Sequence, residues 1–183
     1  MQLRTLRLWT LGTAIVLMGG GVPAHAAPLA NSNEVLVNGG FFHTADTDFG
    51  NVNLDLSYGR YLGNPAWQLG LLQGLNWTII DDAEDPWAAV TAPFVNYHFL
   101  GFSQEQTVVP FLGAFTGLVW NDDDATGTLG PQAGFKFFLT DHAFVQTKYR
   151  YEWFFDELDQ TDDAADDGNH VLSLGIGYVW GGV

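Results

Sequence analysis

Asp55, Lys136, Lys148, Arg150 and Glu152 are the residues whose types and spacing could do chemistry. Lys148, Arg150 and Glu152 recur at every second position, the period of a β-strand, so they share one side of it. Alternation in the surrounding segments puts Lys136 and Asp55 on the same kind of face. Three cations and two anions in one narrow space make either an ion-paired plug or the lining of a conduit. A buried charge without a partner is strongly destabilising, so the expected arrangement is a hydrogen-bonded network that fixes strand register.

Carboxylates supply a second candidate chemistry. They gather at Asp46 and Asp48, at Asp81, Asp82, Glu84 and Asp85, at Asp122, Asp123 and Asp124, and from Asp156 through Asp162, Asp163, Asp166 and Asp167. Hard oxygen donors of this kind suit calcium or magnesium. No stretch completes a calcium-loop pattern, which needs a correctly placed distal glutamate. The expectation is a solvated acidic rim with diffuse divalent binding at most, and no discrete metal site. Beside an anionic lipopolysaccharide leaflet such a rim would repel lipid phosphates unless divalent ions bridged them or high salt screened them.

Catalysis finds little support. His98 lies near Ser103, and Asn96 shares its parity. A serine hydrolase needs that histidine to reach the serine and a third group to orient it. Here His98 points to the polar face while Ser103 falls in a turn. The histidines and carboxylates lack zinc-ligand spacing. The glycines recur within strands, not at a strand-to-helix turn that cradles phosphate. No catalytic residue and no cofactor is expected, and the chain does not read as an enzyme.

The elements that must position these groups follow a leader. Arg4 and Arg7, the apolar run Leu8 to Met18, and Ala24-His25-Ala26 read as a cleaved signal peptide over residues 1–26. One domain over 27–183 remains. No cysteine follows, so neither disulfides nor a lipid anchor enter. Beyond the leader only Arg60, Lys136, Lys148 and Arg150 face 21 acids, a balance that excludes nucleic acid as a partner.

Period-two alternation predicts strands at 33–43, 51–62, 66–77, 87–100, 107–120, 126–139, 143–155 and 170–180. Trp67, Leu69, Leu71, Gln73, Leu75 and Trp77 share one face of the third, against Gln68, Gly70, Leu72, Gly74 and Asn76. Tyr149, Tyr151 and Trp153 mark the same large face in the seventh, and Tyr178 and Trp180 in the eighth. In the fifth, Phe111, Gly113, Phe115 and Gly117 form the inner face, the glycines making room for bulk opposite. Pro93 and Pro110 belong near strand ends or bulges. Arg60 shares Tyr58's outward parity near a turn, where its side chain reaches an interface cheaply.

The apolar face is too bulky to fill the inside of an eight-stranded barrel. Turned outward it makes a lipid-facing band whose aromatic residues form girdles, with Trp67 and Trp77 at its two edges. Backbone groups in a bilayer must all be paired, so the strands must close. The predicted fold is therefore all-β, an eight-stranded antiparallel up-and-down transmembrane β-barrel. The four acidic clusters then fall at one end.

Three stretches carry a family likeness: Val109-Pro-Phe-Leu-Gly-Ala114, Gly130-Pro-Gln-Ala-Gly-Phe-Lys-Phe-Phe-Leu-Thr-Asp141 and Lys148-Tyr-Arg-Tyr-Glu-Trp153. With the Leu172–Trp180 alternation, the chain resembles the small outer-membrane β-barrel domain family that includes opacity-type and outer-membrane protein A, W and X-like proteins. It departs from that family in ending Gly181-Gly182-Val183 after Trp180, where an aromatic residue is usual. The resemblance implies the outer membrane of a Gram-negative-type bacterium, a periplasmic N-terminus, short periplasmic turns and contact with the outer-membrane assembly machinery. The expected function is a non-enzymatic structural, envelope-integrity or surface-interaction role through acidic extracellular loops. Outer-membrane lipid, lipopolysaccharide, divalent cations or a basic surface partner are the ligands such loops suit. The alternative is a narrow channel or transporter for small or apolar solutes.

Overall fold

The computed structural model describes residues 28–43, 49–80, 87–103, 106–121, 125–155 and 169–182. Eight strands hold most of them: β1 (Ser32–His43), β2 (Phe49–Tyr61), β3 (Trp67–Ile80), β4 (Trp87–His98), β5 (Val108–Trp120), β6 (Ala125–Phe138), β7 (Ala143–Phe155) and β8 (Asn169–Gly181). Each pairs antiparallel with its sequence neighbours, and β8 pairs with β1, so the sheet closes and leaves no free edge. The segments 62–66, 99–107 and 139–142 therefore join strands at one end, the turn end. Connections 44–48, 81–86, 121–124 and 156–168 belong to the other, the loop end. The leader expected over 1–26 and all four acidic clusters, Asp122–Asp124 and Asp162–Asp167 included, lie outside the described residues.

Strand number, order and direction match the sequence expectation. β2 and β3 run further than expected because Phe49 pairs with Ile80 and Gly50 with Ile79.

The prolines require one correction. Pro110 is near the start of β5 as expected, but Pro93 lies inside β4 with no bulge. It pairs with Leu71 of β3, while the β4–β5 ladder passes from Thr91↔Leu118 to Phe94↔Phe115 without it. Pro131 interrupts the β6–β7 ladder likewise, between Leu129↔Trp153 and Gln132↔Arg150. Register is unchanged across both gaps. A missing donor is thus accommodated by opening one ladder locally rather than by ending the strand.

Large and small residues alternate around the inner wall. The rings of Phe94, Phe111 and Phe144 lie over Gly70, Gly134 and Gly177, so these glycines make the space their neighbours fill. A Cβ on Gly134 would lie 2.8 Å from the Phe111 ring. At the end of β8, Gly181 and Gly182 take positive φ (73° and 96°). A side chain on Gly182 would meet Leu29 at 2.7 Å. Outside, Leu54, Leu56, Leu69, Leu71, Leu172 and Ile176 are exposed, the last two by 75% and 71%. That is the inverse of a water-soluble barrel.

Candidate functional site

The ionisable side chains of the lumen form two separate groups. Nearer the turn end, Lys136 Nζ lies 2.6 Å from Glu34 Oε2 and donates to the Tyr61 hydroxyl at 2.8 Å. That hydroxyl in turn donates to Glu34 Oε2 at 2.7 Å, closing a triangle. Around it pack Leu36, Val109, Phe138, Phe144 and Val179, all buried. The ammonium also lies over the rings of Phe144, Tyr61 and Phe111, at 5.0, 5.3 and 5.8 Å from their centroids. A charge this dry is tolerable only because its partners touch it directly.

The second group lies further along the lumen. Arg150 Nε is 2.5 Å from Glu152 Oε1, while Arg150 Nη1 and Lys148 Nζ approach Asp55 Oδ2 at 3.9 and 4.0 Å. The guanidinium lies over the Phe115 ring at 5.1 Å. Leu72, Ala92, Phe94 and Phe115 form an apolar layer at this side of the lumen. Between the groups runs a chain of buried amides. Gln132 Nε2 donates to Asn96 Oδ1 at 2.7 Å, and Asn96 Nδ2 to Gln68 Oε1 at 3.1 Å. They line a small cavity together with Glu34, Gln146 and Lys148, with room for about one water molecule.

The structure thus places Asp55, Lys136, Lys148, Arg150 and Glu152 in the lumen, all buried, but it does not gather them into one network. Lys136 pairs with Glu34, which the sequence reading passed over. Its signal was available: Glu34 shares the inward parity of Leu36 and Asn38 on β1. Counting it, the described lumen carries three acids and three bases, so it is formally neutral.

His98 is also buried, its ring 5.1 Å from that of Tyr61 and 5.7 Å from that of Phe111. Ser103 is used in the turn, where its Oγ accepts the Val108 N–H at 3.2 Å. Among the described residues no three histidines or carboxylates come together as a metal-binding group.

Solved structures that align with this chain include small outer-membrane barrels. The N-terminal β-barrel domain of Pseudomonas aeruginosa OprF aligns over 83% of this chain and 99% of its own, with TM-score 0.55 and 18% identity. Neisserial surface protein A aligns over 80% and 95%, with TM-score 0.57 and 14% identity. OprG from Pseudomonas aeruginosa aligns over 86% and 99%, with TM-score 0.52 and 13% identity. The fold is that of an outer-membrane β-barrel. No protein-family profile matches the sequence, and no curated protein does either.

That fold gives the exposed aromatic residues their meaning. Toward the turn end Trp67 stands edge-on to Tyr97 at 5.1 Å, Tyr58 lies 6.3 Å from Trp180, and Tyr178 packs beside His142 at 5.5 Å. Toward the loop end are Trp77, paired in register with Trp87, and Trp120, edge-on to Trp87 at 6.0 Å. Tyr151 and Trp153 make a half-buried pair at 4.9 Å, and the Tyr149 hydroxyl meets His170 Nδ1 at 2.6 Å. The sequence list held Trp67, Trp77, Tyr149, Tyr151, Trp153, Tyr178 and Trp180 but omitted Trp87, Trp120 and Tyr97. Alternation alone could have found them, since each shares a face with its strand's outward residues. Arg60 is exposed at the turn-end margin of β2.

Proposed function

We propose that this chain is a non-enzymatic integral outer-membrane protein that closes its own lumen and acts in envelope integrity or surface interaction through its acidic loops. The single observation that supports this reading most is the pairing of the lumenal charges. A permeating ion would have to displace the Glu34–Lys136–Tyr61 triangle and pass the Phe138–Phe144 layer, whose rings are 5.2 Å apart. Separating such charges in a low-dielectric interior is costly. In the proposed orientation the turn end faces the periplasm, with the start of β1, and the loop end faces outward. Three of the four basic residues beyond the leader are then lumenal and the fourth is at the turn end, so the outward loops keep their acids uncompensated. A one-sign surface of that kind steers basic partners and divalent cations toward it.

The test is single-channel recording on the folded protein in planar bilayers, with lipid hydrolysis assayed in parallel with and without calcium. Silence in both supports the reading. Steady conductance would replace it with the narrow-channel reading, and released fatty acid would replace it with a lipid-cleaving one.

A further inference from the structure

The lipid-facing wall carries one polar chain that its own barrel does not complete. The Trp120 indole Nε1 donates to Thr91 Oγ1 at 3.2 Å, and Thr91 Oγ1 donates to Gln73 Oε1 at 2.7 Å. Gln73 is exposed on the outward face of β3, and its amide NH₂ has no bonding partner among the described residues.

Its depth makes this costly. Trp67 and Trp77 bracket it on the same face and are about 33 Å apart along the strand. At a strand tilt of about 40° that is about 25 Å along the membrane normal, the height of a lipid-facing band. Gln73 therefore lies about 10 Å inside the Trp77 level, among Leu56, Leu71 and Leu75. Acyl chains offer no acceptor there, and an unsatisfied donor in hydrocarbon is expensive.

We infer that this wall, centred on Gln73, is the contact between two copies of the chain in the membrane. The inference rests on the membrane reading above. A partner must present a polar group at the same depth, and a second copy related by a two-fold axis along the membrane normal does so automatically. A carboxamide is also self-complementary, because each amide donates its NH₂ to the other's oxygen. The neighbouring outward residues Pro93 and Ala114 are small and exposed, and leave the backbone accessible to close approach, the condition under which membrane segments associate.

The experiment uses the full domain folded into phosphatidylcholine vesicles containing phosphatidylglycerol. The chain has no cysteine, so Leu71→Cys, the adjacent outward position on β3, is a unique reporter that leaves the Gln73 carboxamide in place. Oxidation is expected to give a covalent dimer from Leu71→Cys and none from a control Leu172→Cys on β8. Energy transfer between labelled copies is expected to weaken about tenfold with Gln73→Leu. Heat-modifiable mobility and resistance to urea extraction are scored first. A protein that fails them overturns the membrane reading and this inference together. A protein that passes them but stays monomeric, or dimerises equally well as Gln73→Leu, overturns the inference alone.

Discussion

The two charged groups of the lumen solve one problem in opposite ways. Near the turn end, one lysine and one glutamate meet at 2.6 Å, share a tyrosine, and are walled in by aromatic rings. Further along, four charges are strung out, with one contact at 2.5 Å and two near 4 Å. The first is a closed pair in which each member depends wholly on the other. The second is redundant, because Asp55 faces both Lys148 and Arg150. The lesson is that net neutrality is not the protective feature. What matters is how many partners remain when one is removed.

Breaking the closed pair should have the largest effect. Lys136→Met strands Glu34 in an apolar plug and should destabilise the barrel by about 3–5 kcal/mol, read as a lower urea midpoint in vesicles. Removing both charges, as Glu34→Gln with Lys136→Met, should recover most of that loss. If the double variant is as unstable as the single one, the pair acts through packing rather than charge.

Arg150→Ala in the redundant group should cost less, about 2 kcal/mol, since Lys148 stays beside Asp55 and only Glu152 loses its direct partner. Thermal loss of heat-modifiable mobility reports it, and an unchanged melt would count against the network. Gly177→Ala would push a methyl group against the Phe144 ring, beside the closed pair, and should cost about 1–3 kcal/mol. A compensating Phe144→Leu should return part of that in the same urea titration. The smallest effect belongs to Tyr61→Phe. It removes one hydroxyl from the triangle but leaves the Lys136–Glu34 contact, for about 1 kcal/mol by the urea midpoint.

Much of the fold was legible because a strand's side chains alternate with a period of two. Trp67 and Trp77 against Gln68 and Leu72, or Tyr149 and Tyr151 against Lys148 and Arg150, assign inside and outside without any knowledge of neighbours. Glycine spacing in β5 suggested room for bulk opposite, but Gly113 faces the Asn96 amide and Gly117 the small Ala92, while the rings lie over Gly70, Gly134 and Gly177 on other strands. The candidate site was less legible. Parity says that Lys136 and Arg150 face inward, but it says nothing of their depth along the axis. Pairing of Lys136 with Gln146, and of Gln132 with Arg150, holds the two cations apart on adjacent antiparallel strands. Lys136 instead reaches Glu34 on β1, beyond β7 and β8 in strand order.

The sequence by itself determined that the chain alternates, that its bulky face is apolar and ringed by aromatic residues, and that its few cations after residue 26 lie mostly on the opposite face. Those are local properties, set by side-chain chemistry and the strand's repeat. Only the tertiary structure decided that Lys136 pairs with Glu34, that Pro93 and Pro131 interrupt one ladder each without ending a strand, and that the outward Gln73 meets Thr91 and Trp120. Each of these depends on the register at which strands meet and on the stagger with which the sheet closes, and no periodicity within one strand encodes either.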